Sequence, residues 1–253
     1  AYSIIYLVTF LILLLGTIDD KWNLSVSIRL IIQILASWIV ISFTDVYLNN
    51  LGDLFGLGNI YLGQLGIPVT IFMVVGVCNA FNMLDGMDGL VSLVSFTAIC
   101  FLSVILFFNQ SFFEIPLFLS LSLLVFLLFN LGFMGKKWKM FLGDSGAMWL
   151  GFITAWYLII LSQGEEMLFS PPVALWMVML PLIDALSTFL IRMRQRKPIF
   201  SGDRTHIHHI MLDSGIKKWI VIIRKFLFLI KKFLKNGTLK KDSYLLISLL
   251  LLH

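Results

Sequence analysis

The stretch YSIIYLVTFLILLLGTI (2–18) carries no charge and stops at Asp19-Asp20-Lys21. A helix needs ~20 mostly apolar residues to cross the hydrocarbon core of a bilayer. This stretch is close to that length, and its end is marked by an acidic pair. The same grammar recurs along the chain at about 28–44, 67–81, 90–108, 115–133, 147–161 and 172–191, seven candidate spans in all. The chain is 59% hydrophobic and only 13% charged, with a mean hydropathy of +0.97. Soluble domains hold about 45–50% apolar residues and about 25% charged ones. The solvent this chain needs is lipid, and without a Gly-punctuated strand pattern the spanning form is the helix. The expected fold is all-α: a polytopic transmembrane helix bundle of about seven spans plus a basic amphipathic C-terminal segment. Pro116, Pro171 and Pro172 stand at helix starts, where proline is tolerated. Pro181 falls inside the seventh run and predicts a kink. Cys78 and Cys100 lie in apolar runs and read as buried thiols.

The loops carry the orientation. Lys21 and Arg29 flank the first, Lys136, Lys137 and Lys139 fill the fifth, and Arg192, Arg194, Arg196, Lys197, Arg204, Lys217 and Lys218 follow the seventh span. The alternate loops, about 45–66, 109–114 and 162–171, hold no Lys or Arg. The positive-inside rule assigns the basic set to the cytoplasm, and the loop around 82–89 follows by parity. The chain enters its first apolar run with no basic region before it, so a signal peptide is not expected. From Lys217 the run KKWIVIIRKFLFLIKKFLKNGTLKKD is too charged to span, and an amphipathic helix on the anionic inner surface is the better reading. The chain thus divides into 1–216, the transmembrane unit, and 217–253, a basic, apolar tail that either lies on the membrane surface or is aberrant.

Threading brings Asp19, Asp20, Asp85, Asp88, Asp144, Asp203 and Asp213 to one face. Each alone reads as a solvated charge or a helix cap, but ionisable groups at a membrane boundary are few and usually functional. Neighbours on a helix point ~100° apart, so Asp19 and Asp20 would not serve one ion alike. Asn79, Asn82, Asp85 and Asp88 recur every three residues in NAFNMLDGMDG, a polar band at a helix end. Its amides and carboxylates fit hydrated Mg²⁺ plus a nucleotide or phosphate, and the bland alternative is a turn marked by two Asp-Gly pairs. In FLGDSG (141–146), Asp144 or Ser145 is a natural N-cap, and such a helix start also attracts phosphate. In GDRTHIHHI (202–210), Arg204 offers a bidentate fork to phosphate, and His206, His208 and His209 cluster beside it. Zinc is the alternative there, but no fourth ligand stands near. Asp184, inside the seventh span, reads as a structural polar contact.

TIDDKW, NAFNMLDGMDGL, FLGDSG and DRTHIHHI, in that order over about residues 10–215, resemble the polyprenyl-phosphate N-acetylhexosamine-1-phosphate transferase family. The HIHH form after PIF-x-x-DR is similar to its undecaprenyl-phosphate N-acetylglucosaminyl 1-phosphate transferase branch. The resemblance implies UDP-N-acetylglucosamine, undecaprenyl phosphate and Mg²⁺ (Mn²⁺ as an alternative), with UMP and a lipid-linked sugar pyrophosphate as products. That reaction is the first step of lipid-linked surface polysaccharide synthesis in a bacterial inner membrane. It also implies roles. Asp19 and Asp20 act at the metal and the lipid phosphate, and Asp144 is a metal ligand. Asn82, Asp85 and Asp88 position nucleotide and metal, with Asn79 beside them. Arg204, His206, His208 and His209 recognise the sugar nucleotide. Asp20, Asp88 and Asp144 make up the expected metal set. A homodimer is a further expected assembly, and nucleic acid is not an expected partner. Family members carry further spans before the paired aspartates and after the histidines, so a chain shortened at its start with an atypical tail is expected. Direct attack by the lipid phosphate is favoured over a covalent aspartyl intermediate. A polytopic transporter and an inactive remnant are the rival readings.

Overall fold

The computed structural model describes residues 2–196 apart from 55, 57, 87, 112, 165 and 166. Seven helices appear in the described residues: α1 (Tyr2–Trp22), α2 (Val26–Thr44), α3 (Gly66–Leu84), α4 (Leu90–Phe108), α5 (Glu114–Asn130), α6 (Gly143–Ser162) and α7 (Pro171–Arg194). All seven expected spans are present. Six are long and apolar enough to cross a bilayer, and α5 has only 17 residues. At 1.5 Å per residue α5 is about 26 Å long, slightly short of the ~30 Å core. The 115–133 run predicted a later end. The chain instead leaves the helix after Asn130 and turns through Gly132, whose φ is +80°. The third span extends the other way. It continues past 81 to Leu84 and so carries Asn82 as well as Asn79 on helix. The kink expected at Pro181 does not break α7, which is helical on both sides of it.

Several polar side chains within the spans satisfy themselves locally, as a medium without water favours. Ser37, Thr97 and Ser103 each donate a hydroxyl to the carbonyl four residues earlier. The Tyr6 and Tyr157 hydroxyls pair at 2.7 Å between α1 and α6.

The central element is α6, with Met148, Leu150, Phe152 and Trp156 fully buried. It packs mainly against α1 and α3, while α4 pairs with α5 and α7 lies on α3. Close approach depends on two glycines. A Cβ at Gly16 would stand 2.2 Å from the Ser145 Cα, and one at Gly151 2.9 Å from the Cys78 Cα. Gly16 sits one turn before Asp19, so this contact sets how near the end of α1 comes to the start of α6. At the opposite end of the bundle the 45–66 segment folds back on the α6–α7 corner. Gln163 accepts the N–H groups of Asn49 and Asn50, each at 3.1 Å, and donates to the Asn50 carbonyl.

Residues 197–253 lie outside the described region. With them lie the boundary at 216/217, the amphipathic tail, Asp203, Asp213 and the Arg204–His209 cluster.

Candidate active site

Where α1, α3 and α5 end and α2, α4 and α6 begin, five carboxylates converge. Asp19 is buried at the last turn of α1. Its Oδ1 accepts the Leu24 N–H at 2.8 Å, and its Oδ2 accepts from Arg29 Nη1 at 2.8 Å. The first contact closes the short turn into α2, which Ser25 caps by accepting the Ile28 N–H. Arg29 also reaches Asp144 Oδ2 at 3.4 Å, so one guanidinium bridges two carboxylates from distant parts of the chain.

Asp20 points elsewhere, as the 100° helical offset predicted. Its carboxylate accepts the backbone N–H groups of Asp144 at 3.1 Å and Ser145 at 3.4 Å. The N-terminus of α6 is therefore capped by a residue 124 positions away in sequence. This corrects the expectation of a local Asp144 or Ser145 cap, since α6 has no side-chain cap of its own at Leu142. The exchange follows from geometry: Gly143 has φ +71°, and the space beside it where a Cβ would stand is 3.1 Å from Asp20 Oδ2. A carboxylate is also the group that a helix N-terminus favours.

Asp85 caps α3 with no ion pair among the described residues. Burial, with Asp144, Asp88 and Asp20 nearby, pushes its carboxyl up to about 7. Asp88 faces Lys139 at 2.7 Å. Asn82 lies against the Asp144 carboxylate, and its own Oδ1 is buried with no hydrogen-bond partner. Asn79 turns away from this group. It donates to Gln33 Oε1 and the Val75 carbonyl, both at 2.8 Å, and so ties α3 to α2 within the bundle. Asp184 is buried in α7, with Thr188 Oγ1 donating to its backbone carbonyl.

Among the described residues no three carboxylate, imidazole or thiol side chains form a complete metal cage. Mg²⁺ seldom needs one, because it keeps waters and takes one or two carboxylates plus substrate phosphates. The donor set fits that habit. Arg29 and Lys139 are the cations at ion-pair distance, and they leave Asp85 uncompensated. The orphaned Asn82 oxygen adds a neutral donor beside Asp144.

Sequence reading missed three participants. Arg29 and Lys139 counted only as topology charges, although Arg29 lies ten residues after Asp19 and just beyond a three-residue turn. Asn130, a lone amide closing an apolar helix, drew no notice.

The glycosyl transferase family 4 profile matches residues 2–162. The undecaprenyl-phosphate α-N-acetylglucosaminyl 1-phosphate transferase of Escherichia coli K12 is 36% identical over 203 residues, covering 79% of this chain and 55% of that protein. The proteins of the same name from Yersinia pestis and Haemophilus influenzae are 34% and 36% identical, over 81% and 82% of this chain and 57% and 59% of theirs. The chain thus spans a little over half the length of the curated relatives it matches. The carboxylates gathered here from α1, α3 and α6 fall inside the matched region or, for Asp144, near its end, and the chain belongs to glycosyl transferase family 4.

Proposed function

We propose that the chain transfers N-acetylglucosamine 1-phosphate from UDP-N-acetylglucosamine to undecaprenyl phosphate. An oxygen of the lipid phosphate attacks the phosphorus that bears the sugar, the phosphoanhydride bond breaks, and UMP leaves. The observation that carries this reading is the convergence of Asp19, Asp20, Asp85 and Asp144 at one end of a membrane bundle. Its second support is the names of the relatives, which describe this transfer.

In the proposed mechanism Asp144 of the expected metal set would hold the divalent ion together with Asp85 and Asn82 Oδ1, in place of Asp20 and Asp88, which are engaged by the α6 N–H groups and by Lys139. When bound, the ion neutralises the pyrophosphate and makes a dianion a tolerable target for another anion. Asp19 has both oxygens engaged, by Leu24 and Arg29, and acts as a brace. Asp20 caps the α6 N-terminus but is the exposed member of the pair, and is proposed to be the one that acts at the lipid phosphate. Arg204, His206, His208 and His209 are proposed to recognise the sugar nucleotide, on the strength of their motif. The acidic end faces the cytoplasm of a bacterial inner membrane, in keeping with the Lys and Arg content of its loops. The transferase unit covers 1–216, with 217–253 as a basic tail against the membrane.

Proteoliposomes holding the chain, radiolabelled UDP-N-acetylglucosamine, undecaprenyl phosphate and Mg²⁺ should yield labelled lipid and equimolar UMP. The galacto isomer should react poorly. Asp144→Asn should lower turnover by on the order of 100-fold or more. Near-normal UMP release from that variant would remove Asp144 from the mechanism. Unmodified label accumulating in the lumen would point to a transporter instead.

A further inference from the structure

α5 brings no carboxylate to the acidic end, yet its last residue touches both loops that do. Asn130 is buried, at 3% exposure. Its Oδ1 accepts the N–H of Gly89, and its Nδ2 donates to the Met140 carbonyl at 2.7 Å. Gly89 closes the loop that holds Asp85 and Asp88. Met140 stands four residues before Asp144. A primary amide supplies the one acceptor and the donor that these two backbone groups need, and no aliphatic side chain can replace it. Lys139 Nζ joins the same two segments through Asp88 Oδ2 at 2.7 Å. The Gly89 corner is also seated on α5, since a Cβ there would stand 2.4 Å from Leu131 Cδ2.

The two tethered segments have a reason to separate. With no ion between them Asp85 and Asp144 repel across the junction, since the Asp144 charge is among the causes that raise the Asp85 carboxyl. Without Asn130, the Gly89 N–H and the Met140 carbonyl would be left unpaired and would be drawn towards water. We propose that Asn130, assisted by Lys139, is a positioning residue that holds the Asp85 loop at a set distance from Asp144, and so determines the affinity of the site for a sugar nucleotide. The inference rests on the transferase reading above and adds to it a residue that touches no substrate.

The test uses the full chain in proteoliposomes with Mg²⁺. Asn130→Ala should raise the KM for UDP-N-acetylglucosamine about tenfold, the effect of roughly one lost buried hydrogen-bond pair. The KM for undecaprenyl phosphate should stay within about twofold. A merely structural role would reduce the amount of folded enzyme, lowering Vmax for both substrates with both KM values unchanged, and that result would overturn the proposal. Lys139→Met combined with Asn130→Ala should show less than the product of the single effects, because both side chains hold one junction. Independent effects that multiply fully would also count against it.

A second readout needs no turnover. Limited trypsin digestion after Lys136 and Lys137 should speed up several-fold in Asn130→Ala but not in Asn109→Ala, a control at the opposite end of the bundle. If the wild type makes no lipid-linked sugar, the transferase reading has failed. The positioning role is then judged on trypsin cleavage and on calorimetric binding of UDP-N-acetylglucosamine, and unchanged values in Asn130→Ala would sink it.

Discussion

The two ends of this bundle solve the same problem in opposite ways. At the end built from the 45–66 segment and the α6–α7 corner, one neutral side chain, Gln163, satisfies four backbone groups. These hydrogen bonds close on one another within the fold. At the acidic end carboxylates gather faster than cations do. Asp19 and Asp88 are matched, Asp20 is spent on the α6 N-terminus, and Asp85 together with the Asn82 oxygen remains uncompensated. Buried polar groups are normally satisfied within the fold, so an uncompensated carboxylate beside an unpartnered amide oxygen marks where something else binds.

The contrast can be broken most sharply at Gly16. Gly16→Ala places a methyl within van der Waals overlap of the Ser145 backbone. It should destabilise the bundle by about 1–3 kcal/mol, as overpacking does. It should also move Asp20 off the N–H groups of Asp144 and Ser145. Gly151→Ala, a looser contact further from the acids, should cost less stability and much less turnover. Thermal unfolding in micelles together with UMP release checks both, and equal loss of turnover in the two variants would detach the Gly16 contact from the site.

At the neutral end, Gln163→Ala should lower stability by about 1 kcal/mol. It should leave the KM for either substrate unchanged. A shifted KM would mean that the two ends are coupled.

The smallest effect is in pH. The carboxyl of Asp85 is raised in the folded state to about 7 by burial and its acidic neighbours. The folded protein therefore prefers the neutral form. The stability tied to that proton is full below the ordinary carboxylate range, declines as pH rises, and is gone once pH passes about 7. Metal-free protein should therefore unfold at lower temperature at pH 8 than at pH 5. Asp85→Asn should reduce that slope, and Mg²⁺ at pH 8 should restore part of the lost stability. An identical slope in Asp85→Asn would place the titration elsewhere.

Much of the fold was legible from hydropathy alone, because the bilayer constrains backbone groups so tightly that length and apolarity identify a span. The errors fell at helix ends. α5 stopped at Asn130 rather than 133 because its amide serves two loops and Gly132 turns the chain. α3 ran past its apolar limit to Leu84, carrying Asn82 on the helix to the Asp144 carboxylate. The motif reading brought Asp19, Asp20, Asp85, Asp88 and Asp144 to one end, and the structure unites them there. Asn79, read with the same polar band, donates to Gln33 on α2, and the motif alone could not divide the work of Asp19 and Asp20.

What the amino-acid sequence determined by itself is which residues share a face of the membrane, since each crossing reverses direction and the acids stand at alternate ends. What only the tertiary structure decided is which acid meets which partner. Arg29 bridges Asp19 and Asp144, Asp20 caps a helix 124 residues away, and Asn130 joins two loops. Those pairings depend on distances of a few ångströms between elements remote in sequence, set by helix contacts such as Gly16 against Ser145, and no local pattern encodes them.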